Sequence, residues 1–365
     1  MESCCVLYVI GYMTMGFLNK NIFSLEDRLF AIDLSDHSVK VLELEKEGEN
    51  HKIRSFNSAK IPRGFINDGR MEEKEKVAEI IKSAVKNAAP KKIRNKKVVC
   101  SLPESKVFLR TISIPKMNQE EAHEAVKWEL EASIPLSVDQ VYFDWQFLDE
   151  VSGKQNVLTV AIDKEIVENT IGVLEMAGLS VFGLEAESIS TVRSLIPKDI
   201  SKKELSLIID LGSSSTSFII TEGRVPYFTS SIPFSSDGIT DILVKTLKIS
   251  EEEAERIKTS HGVERSYENN AVFIAIKPLL ENLIMEVEKS MDFYHSIKKD
   301  SQNIEKIIVC GGGANLKGLV PYLANRLCRE ITVGDPWVNL SLGNALPIIT
   351  KNEAVSYATA VGLII

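Results

Sequence analysis

Ile209–Ile220 reads IDLGSSSTSFII, and Ile32–Leu44 reads IDLSDHSVKVLEL. The two stretches share one plan. LFAIDL (29–34) and LSLIIDL (205–211) are apolar runs of buried-strand length, each closing on an aspartate. A short turn of small polar residues follows, and then a second β-rich run, VKVLEL in one copy and TSFIITEG in the other. Asp33 and Asp210 stand about half the chain apart. Two such hairpins at that separation imply a duplicated α/β unit with a cleft between the halves. A tight turn of small residues offers backbone N–H groups to a phosphate, and a strand-end aspartate can hold a hydrated cation. One copy alone would read better as an ordinary hairpin; the repeat favours a phosphate clamp.

A third glycine-rich element follows in the order such a clamp requires. IEKIIVCGGGANLKGL (Ile304–Leu319) reads as a buried strand, a triple glycine and the start of a helix. Gly311, Gly312 and Gly313 permit positive φ and a close approach of backbone to a flat or charged ligand. EEEAERIKTSHG, which contains Glu255 and Lys258, reads as an amphipathic helix; that pair at i,i+3 is also what a solvated surface ion pair gives, worth a few tenths of a kcal/mol.

These three elements resemble the actin, heat-shock and sugar-kinase ATPase superfamily, an α/β ribonuclease H-like duplicated fold. The resemblance implies ATP and Mg2+ as cofactors. It assigns Asp33, Ser35 and Lys40 to a first phosphate loop and Asp210, Gly212, Ser213 and Thr216 to a second. Gly311, Gly312 and Gly313 match the adenosine loop, while Glu255 and Lys258 match a helix approaching ribose and base. Asp33 and Asp210 would reach the magnesium ion through water. No catalytic residue is assigned.

The insert narrows the family. In MEEKEKVAEIIKSAVKNAA (71–89), Val77, Ile80, Ile81, Ala84, Val85 and Ala88 share one helical face. A basic turn follows (Lys91, Lys92, Arg94, Lys96, Lys97), expected to be solvated surface. VVCSLPESKVFLRTISIPKMNQEEAHEAVKWELEASIPLSVDQVYFDWQFLDE then reads as two strands, a capped helix from Asn118 or Gln119 to Ser133, and an aromatic-rich strand. There Phe143, Trp145 and Phe147 share one face, as core or as groove lining. This pattern, with KWELEASIP and LEMAGLSVFGLEAES, is similar to the PilM family of type IV pilus assembly proteins, relatives of the division protein FtsA. Both carry an inserted 1C (SHS2-type) subdomain in place of the 1B subdomain of actin. By that resemblance subdomain 1A takes 29–105 and 178–203, 1C takes 106–177, 2A takes 204–234 and 304–365, and 2B takes 235–303. The 2B segment includes an amphipathic run, Ile274–Tyr294, with Leu279, Leu280, Leu283, Val287 and Met291 inward.

Composition agrees with a packed globular protein. Hydrophobic residues make up 44% and charged residues 26% of the 365, which is ordinary usage. A net charge of -8 argues against a general nucleic-acid role. Cys4, Cys5, Cys100, Cys310 and Cys328 show neither metal-ligand spacing nor a secreted framework, so reduced thiols in the cytoplasm are expected. MESCCVLYVIGYMTMGFL has no Lys or Arg before Lys20, unlike a signal peptide, and is short and interrupted for a membrane span. Residues 1–28 are therefore expected to be an extension, and the chain is expected to carry no transmembrane span of its own.

Two departures from the superfamily pattern bear on chemistry. Ser35-Asp36 stands where loop 1 usually has glycine and a small polar residue; a positive φ kept at Ser35 would be strained, and Asp36 would repel a triphosphate if turned inward and feel little of it if turned outward, so weak binding is expected. Ser230 and Ser235-Ser236, ahead of Thr240, replace the usual arginine and glycine pair. The resemblance implies an ATP-binding cytoplasmic adaptor, at most a slow ATPase. It would sit peripheral to the inner membrane by docking the N-terminal cytoplasmic tail of a PilN-like protein, with pilus motor ATPases and self-association as further partners. The alternatives are an FtsA-like or GspL-like component of division or type II secretion, or a small-molecule kinase. The ending AVGLII, which has no basic amphipathic helix, points away from FtsA.

Overall fold

The computed structural model describes residues 29–365 except 49, 152, 265–269, 299–302, 305 and 343–347. The expectation for residues 1–28 lies outside the described residues. The chain divides into two units: residues up to Ser190 with Leu340–Pro347 and Thr359–Ile365, and Thr191–Asn339 with Ile348–Ala358.

In the first unit the apolar run before Asp33 forms β1 (Phe30–Ser35), which turns at Asp36-His37 and returns as β2 (Ser38–Glu47) and then β3 (Asn50–Lys60). A small hairpin follows, β4 (Ile66–Asn67) and β5 (Arg70–Met71), and then α1 (Lys74–Lys86), which buries Val77, Ala78, Ile81 and Ala84. β6 (Ala89–Pro90) leads to β7 (Lys97–Leu102), parallel to β1. The next elements are β8 (Val107–Pro115), α2 (Gln119–Ser133), β9 (Val141–Val151), β10 (Lys154–Asp163), α3 (Lys164–Met176), β11 (Ser180–Ala186) and α4 (Glu187–Leu195). One sheet runs β11-β7-β1-β2-β3-β6, and β10 lies antiparallel between β8 and β9.

α2 starts where its sequence says it should. Asn118 Oδ1 accepts from the Glu121 amide at 2.9 Å, and Glu121 Oε2 accepts from the Asn118 amide at 3.3 Å, a reciprocal cap worth about 1 kcal/mol. The helix lays Ala122, Val126 and Leu130 on Ile114, Val157 and Ala161, with Phe143, Trp145 and Phe147 packed against the same cluster. The aromatic face of β9 is therefore core beneath α2, so of its two readings the structure selects packing over groove lining.

In the second unit LSLIIDL becomes β12 (Leu205–Leu211), followed by β13 (Thr216–Glu222), β14 (Val225–Ile232), α5 (Ser236–Leu247), α6 (Glu251–His261) and α7 (Asn270–Lys298). β15 (Lys306–Cys310), α8 (Leu319–Leu327), β16 (Glu330–Val333), α9 (Lys351–Ala354) and α10 (Ala358–Gly362) complete the chain. The strand order here is β16-β15-β12-β13-β14. Leu280, Leu283 and Val287 of α7 are fully buried and Met291 nearly so, on the face expected from the sequence; Ile274, at its start, is exposed. Among the described residues no helix is long and apolar enough to cross a membrane.

Candidate nucleotide site

Asp33 lies near the end of β1 in the first unit and Asp210 near the end of β12 in the second, and the two are held differently. In the first unit the β1–β2 register sets Lys40 directly opposite Asp33, so their side chains share a face. Lys40 Nζ donates to Asp33 Oδ2 at 2.8 Å, and Ser101 Oγ at the end of β7 donates to Oδ1 at 3.2 Å. Asp33 is 5% exposed. A buried carboxylate needs such partners, because desolvation would otherwise disfavour its charge. Ser101 also accepts from the Leu34 amide at 3.0 Å, which makes it part of the loop. The sequence signal for Ser101 was available: VVCSL is a strand ending on a polar residue beside β1.

Ser35 and Asp36 settle two open readings. Among the described non-glycine residues only Asp68, Lys248 and Cys328 have positive φ, so Ser35 sits without that strain. Its hydroxyl donates to Ser38 O at 3.2 Å and closes the β1–β2 turn. The Asp36 carboxylate turns away to a neighbouring hairpin, accepting from the amides of Asp68 and Gly69, both at 2.9 Å.

In the second unit β12 lies between β13 and β15, placing Asp210 beside Ser217 on one side and Cys310 on the other. Burial, with Asp210 as the next cause, pushes the Cys310 thiol up, so it stays protonated and hydrogen-bonds to that carboxylate. Gly212 N–H donates to Ser215 O at 2.9 Å to close the second loop. The first amides of α5 take loop carbonyls: Ser236 N to Gly212 O at 3.2 Å and Asp237 N to Ser213 O at 3.1 Å. Thr216 is fully buried and donates to Phe234 O at 2.8 Å, so its hydroxyl serves the fold rather than the loop surface.

The triple glycine divides its labour. Gly311 has φ +77°, and a Cβ there would overlap Asp210 Oδ1 and come within 2.5 Å of Leu211 O. Gly312 has nothing within 4 Å of a Cβ position and faces open space. The amides of Ser213, Ser214, Gly312 and Gly313 make no hydrogen bond among the described residues. Four such donors on two loops are free to bond an anion. Beside them Leu211, Phe234, Ile239, Gly313 and Leu316 line a small, mostly apolar hollow with Ser236 at its polar side. The unbonded amides suit a phosphate, whereas the hollow, about 10 Å³, has room for a water molecule and not for a base.

Lys258 is more embedded than a surface ion pair. Its side chain is 7% exposed, and Nζ donates to Glu255 Oε1 at 2.7 Å, Thr240 Oγ1 at 2.8 Å, Ser236 Oγ at 2.9 Å and Ser236 O at 3.1 Å. Thr240 also donates to Glu255. The serine pair that replaces the expected glycines lies at this junction, with Ser235 as N-cap of α5 (Oγ accepts from Gly238 N at 3.0 Å) and Ser236 as a lysine partner.

The sequence pattern that defines the family described as type IV pilus assembly protein PilM matches residues 31–365. The chain belongs to the PilM family of type IV pilus assembly proteins. Solved structures agree on the fold. A chain of a PilM-PilN type IV pilus biogenesis complex is 24% identical over 93% of this chain and 98% of its own, with a TM-score of 0.79. The ethanolamine utilization protein EutJ from Carboxydothermus hydrogenoformans is 15% identical, over 92% of this chain and 88% of its own, at 0.56. MreB 5 of Spiroplasma citri bound to AMPPNP is 14% identical, over 92% and 95%, at 0.51. The architecture is that of the actin-like ATPases, and the PilM-family assignment rests on the pattern match across the chain.

Proposed function

We propose that this PilM-family chain is a cytoplasmic, nucleotide-binding adaptor of the pilus inner-membrane platform, docking the N-terminal tail of a PilN-like protein. The observation that carries this reading is the family match over residues 31–365, reinforced by the likeness to a chain solved with PilN. ATP with magnesium is its ligand. The amides of Ser213, Ser214, Gly312 and Gly313 would hold phosphate, and Asp210 the hydrated cation. Within the first unit Asp33 and Lys40 pair near the end of β1, and Ser35 shapes the turn. Glu255 and Lys258, tied to Ser236, brace the wall of the apolar hollow. Nucleotide acts as a structural ligand with slow turnover at most.

For the partner, the segment 106–177 offers a strand edge. Among the described residues β9 has a strand neighbour on one side only, β10. An extended tail can add there as a further strand, main-chain bonds giving affinity and alternate side chains specificity. Affinity isolation of the full chain from solubilised native membranes tests the reading. Recovery of a PilN-like bitopic protein is expected; recovery of division or type II secretion components in its place would count against it.

A further inference from the structure

One edge of the first unit is cationic on an otherwise acidic protein. β1 begins beside the start of β7, with Phe30 opposite Val98, and β7 begins beside β11, with Lys97 opposite Ser180. The β2–β3 hairpin tip lies at that same edge, because Ala31 pairs with Leu42 and Glu47 with Asn50. The 91–96 segment links β6 to β7 across it, anchored by Lys91 N to Arg54 O at 3.3 Å and Ser180 N to Lys96 O at 2.8 Å. Ile93 is buried, while Lys92, Arg94 and Lys96 point out. Lys46 and Lys52 are exposed on the hairpin. None of these five has an ion-pair partner among the described residues. The nearby carboxylates Glu43 and Glu45 are already taken by Arg54 and Lys91, leaving Glu47 and Glu175 exposed among the described residues, and the sequence adds Glu49 between β2 and β3.

We propose that this edge is a docking face for an anionic lipid bilayer surface. The cations spread from β3 to β11, four strand spacings of about 4.8 Å or roughly 20 Å. An array of that breadth matches a planar layer of headgroups better than a single acidic segment. Met176, 52% exposed at the end of α3, adds an apolar contact beside Gly178–Ser180. The net charge of -8 repels the rest of the surface from the same layer and so orients the molecule. Loop 1 lies at the opposite end of β1, where Ser35 pairs with Ser38, so the face is distinct from the nucleotide residues and stands independently of the partner reading.

Sedimentation of the full chain with phosphatidylglycerol-containing and with pure phosphatidylcholine vesicles tests the proposal. Binding to the first only, lost with added salt, is expected. Each basic residue near an anionic surface contributes a factor of about five, so Lys92→Glu/Arg94→Glu/Lys96→Glu should cut the partition by about a hundredfold or more. The milder Lys92→Gln/Arg94→Gln/Lys96→Gln gives the same readout if the first variant misfolds. Absent binding to anionic vesicles, equal binding to neutral ones, or an unchanged partition in either folded variant overturns the proposal. Binding to soluble polyglutamate but not to vesicles would overturn it in favour of an acidic protein segment.

Discussion

Asp36 Oδ1 accepts a hydrogen bond from Gly69 N–H at 2.9 Å, and Oδ2 accepts from Asp68 at the same distance. Asp68 and Gly69 both have positive φ, the geometry of a tight hairpin turn whose amides need an acceptor. Lys106 pairs with Asp68, and the Pro103 ring lies against Gly69. The residue that departs from the superfamily pattern thus braces the β4–β5 hairpin. Asp36→Ala should cost about 1–2 kcal/mol in urea unfolding, since two charge-assisted bonds are lost. Asp36→Ser should leave Mg-ATP affinity within about threefold, because the carboxylate already faces the hairpin amides. A hundredfold gain in calorimetry would restore the repulsion argument.

Lys258 organises α5 and α6 through Glu255, Thr240 and Ser236. Lys258→Met keeps the apolar stem but leaves the Thr240 and Ser236 acceptors unsatisfied. It should lose about 2 kcal/mol of stability, a part of the cost of breaking a buried pair because Glu255 retains solvent access. Nucleotide affinity should fall in the same variant. Unchanged denaturant midpoints would show that the pair is only a surface bridge.

The glycines separate structure from binding. Gly311→Ala forces a Cβ into Asp210 and Leu211 at a positive φ and should lower the melting temperature by several degrees. Gly312→Val meets open space and should fold like the parent, yet lose at least about tenfold in Mg-ATP affinity by crowding the Gly312 and Gly313 amides. Equal ATP binding in a folded Gly312→Val would remove this loop from the site.

Asp144 makes stability depend on pH. Burial raises its carboxyl to about 6 from an ordinary 3.8, and the Trp145 amide, donating at 2.8 Å, only partly opposes this. The folded protein holds this proton more tightly than the unfolded chain, so its contribution is greatest below about pH 4 and is lost as pH rises through 6. About 1.4 kcal/mol per pH unit, discounted for residual solvent access, gives roughly 2 kcal/mol. Asp144→Asn should match the parent near pH 4 and exceed it by about 1–2 kcal/mol at pH 8; equal stability at both pH values would remove this linkage.

The strands and loops were legible because apolar runs ending on Asp33, Asp210 and the triple glycine are local signals. So was α2, whose Asn118 and Glu121 spell out a capping box. Tertiary partners were less so. Thr216 looks like a loop donor until Phe234 O arrives from eighteen residues on. Asp36 looks like a misplaced charge until a hairpin more than thirty residues away supplies two amides. Phe143, Trp145 and Phe147 have one alternation and two meanings, and only the position of α2 chooses between them.

Hydrogen–deuterium exchange of the full chain, with and without a peptide copying the first dozen or so residues of the PilN-like protein's tail, tests the adaptor reading most directly. The account predicts that amides of β9 (Val141–Val151) become protected when the peptide adds to its open edge. Absent peptide-dependent protection anywhere, or protection confined to the second unit, would contradict it.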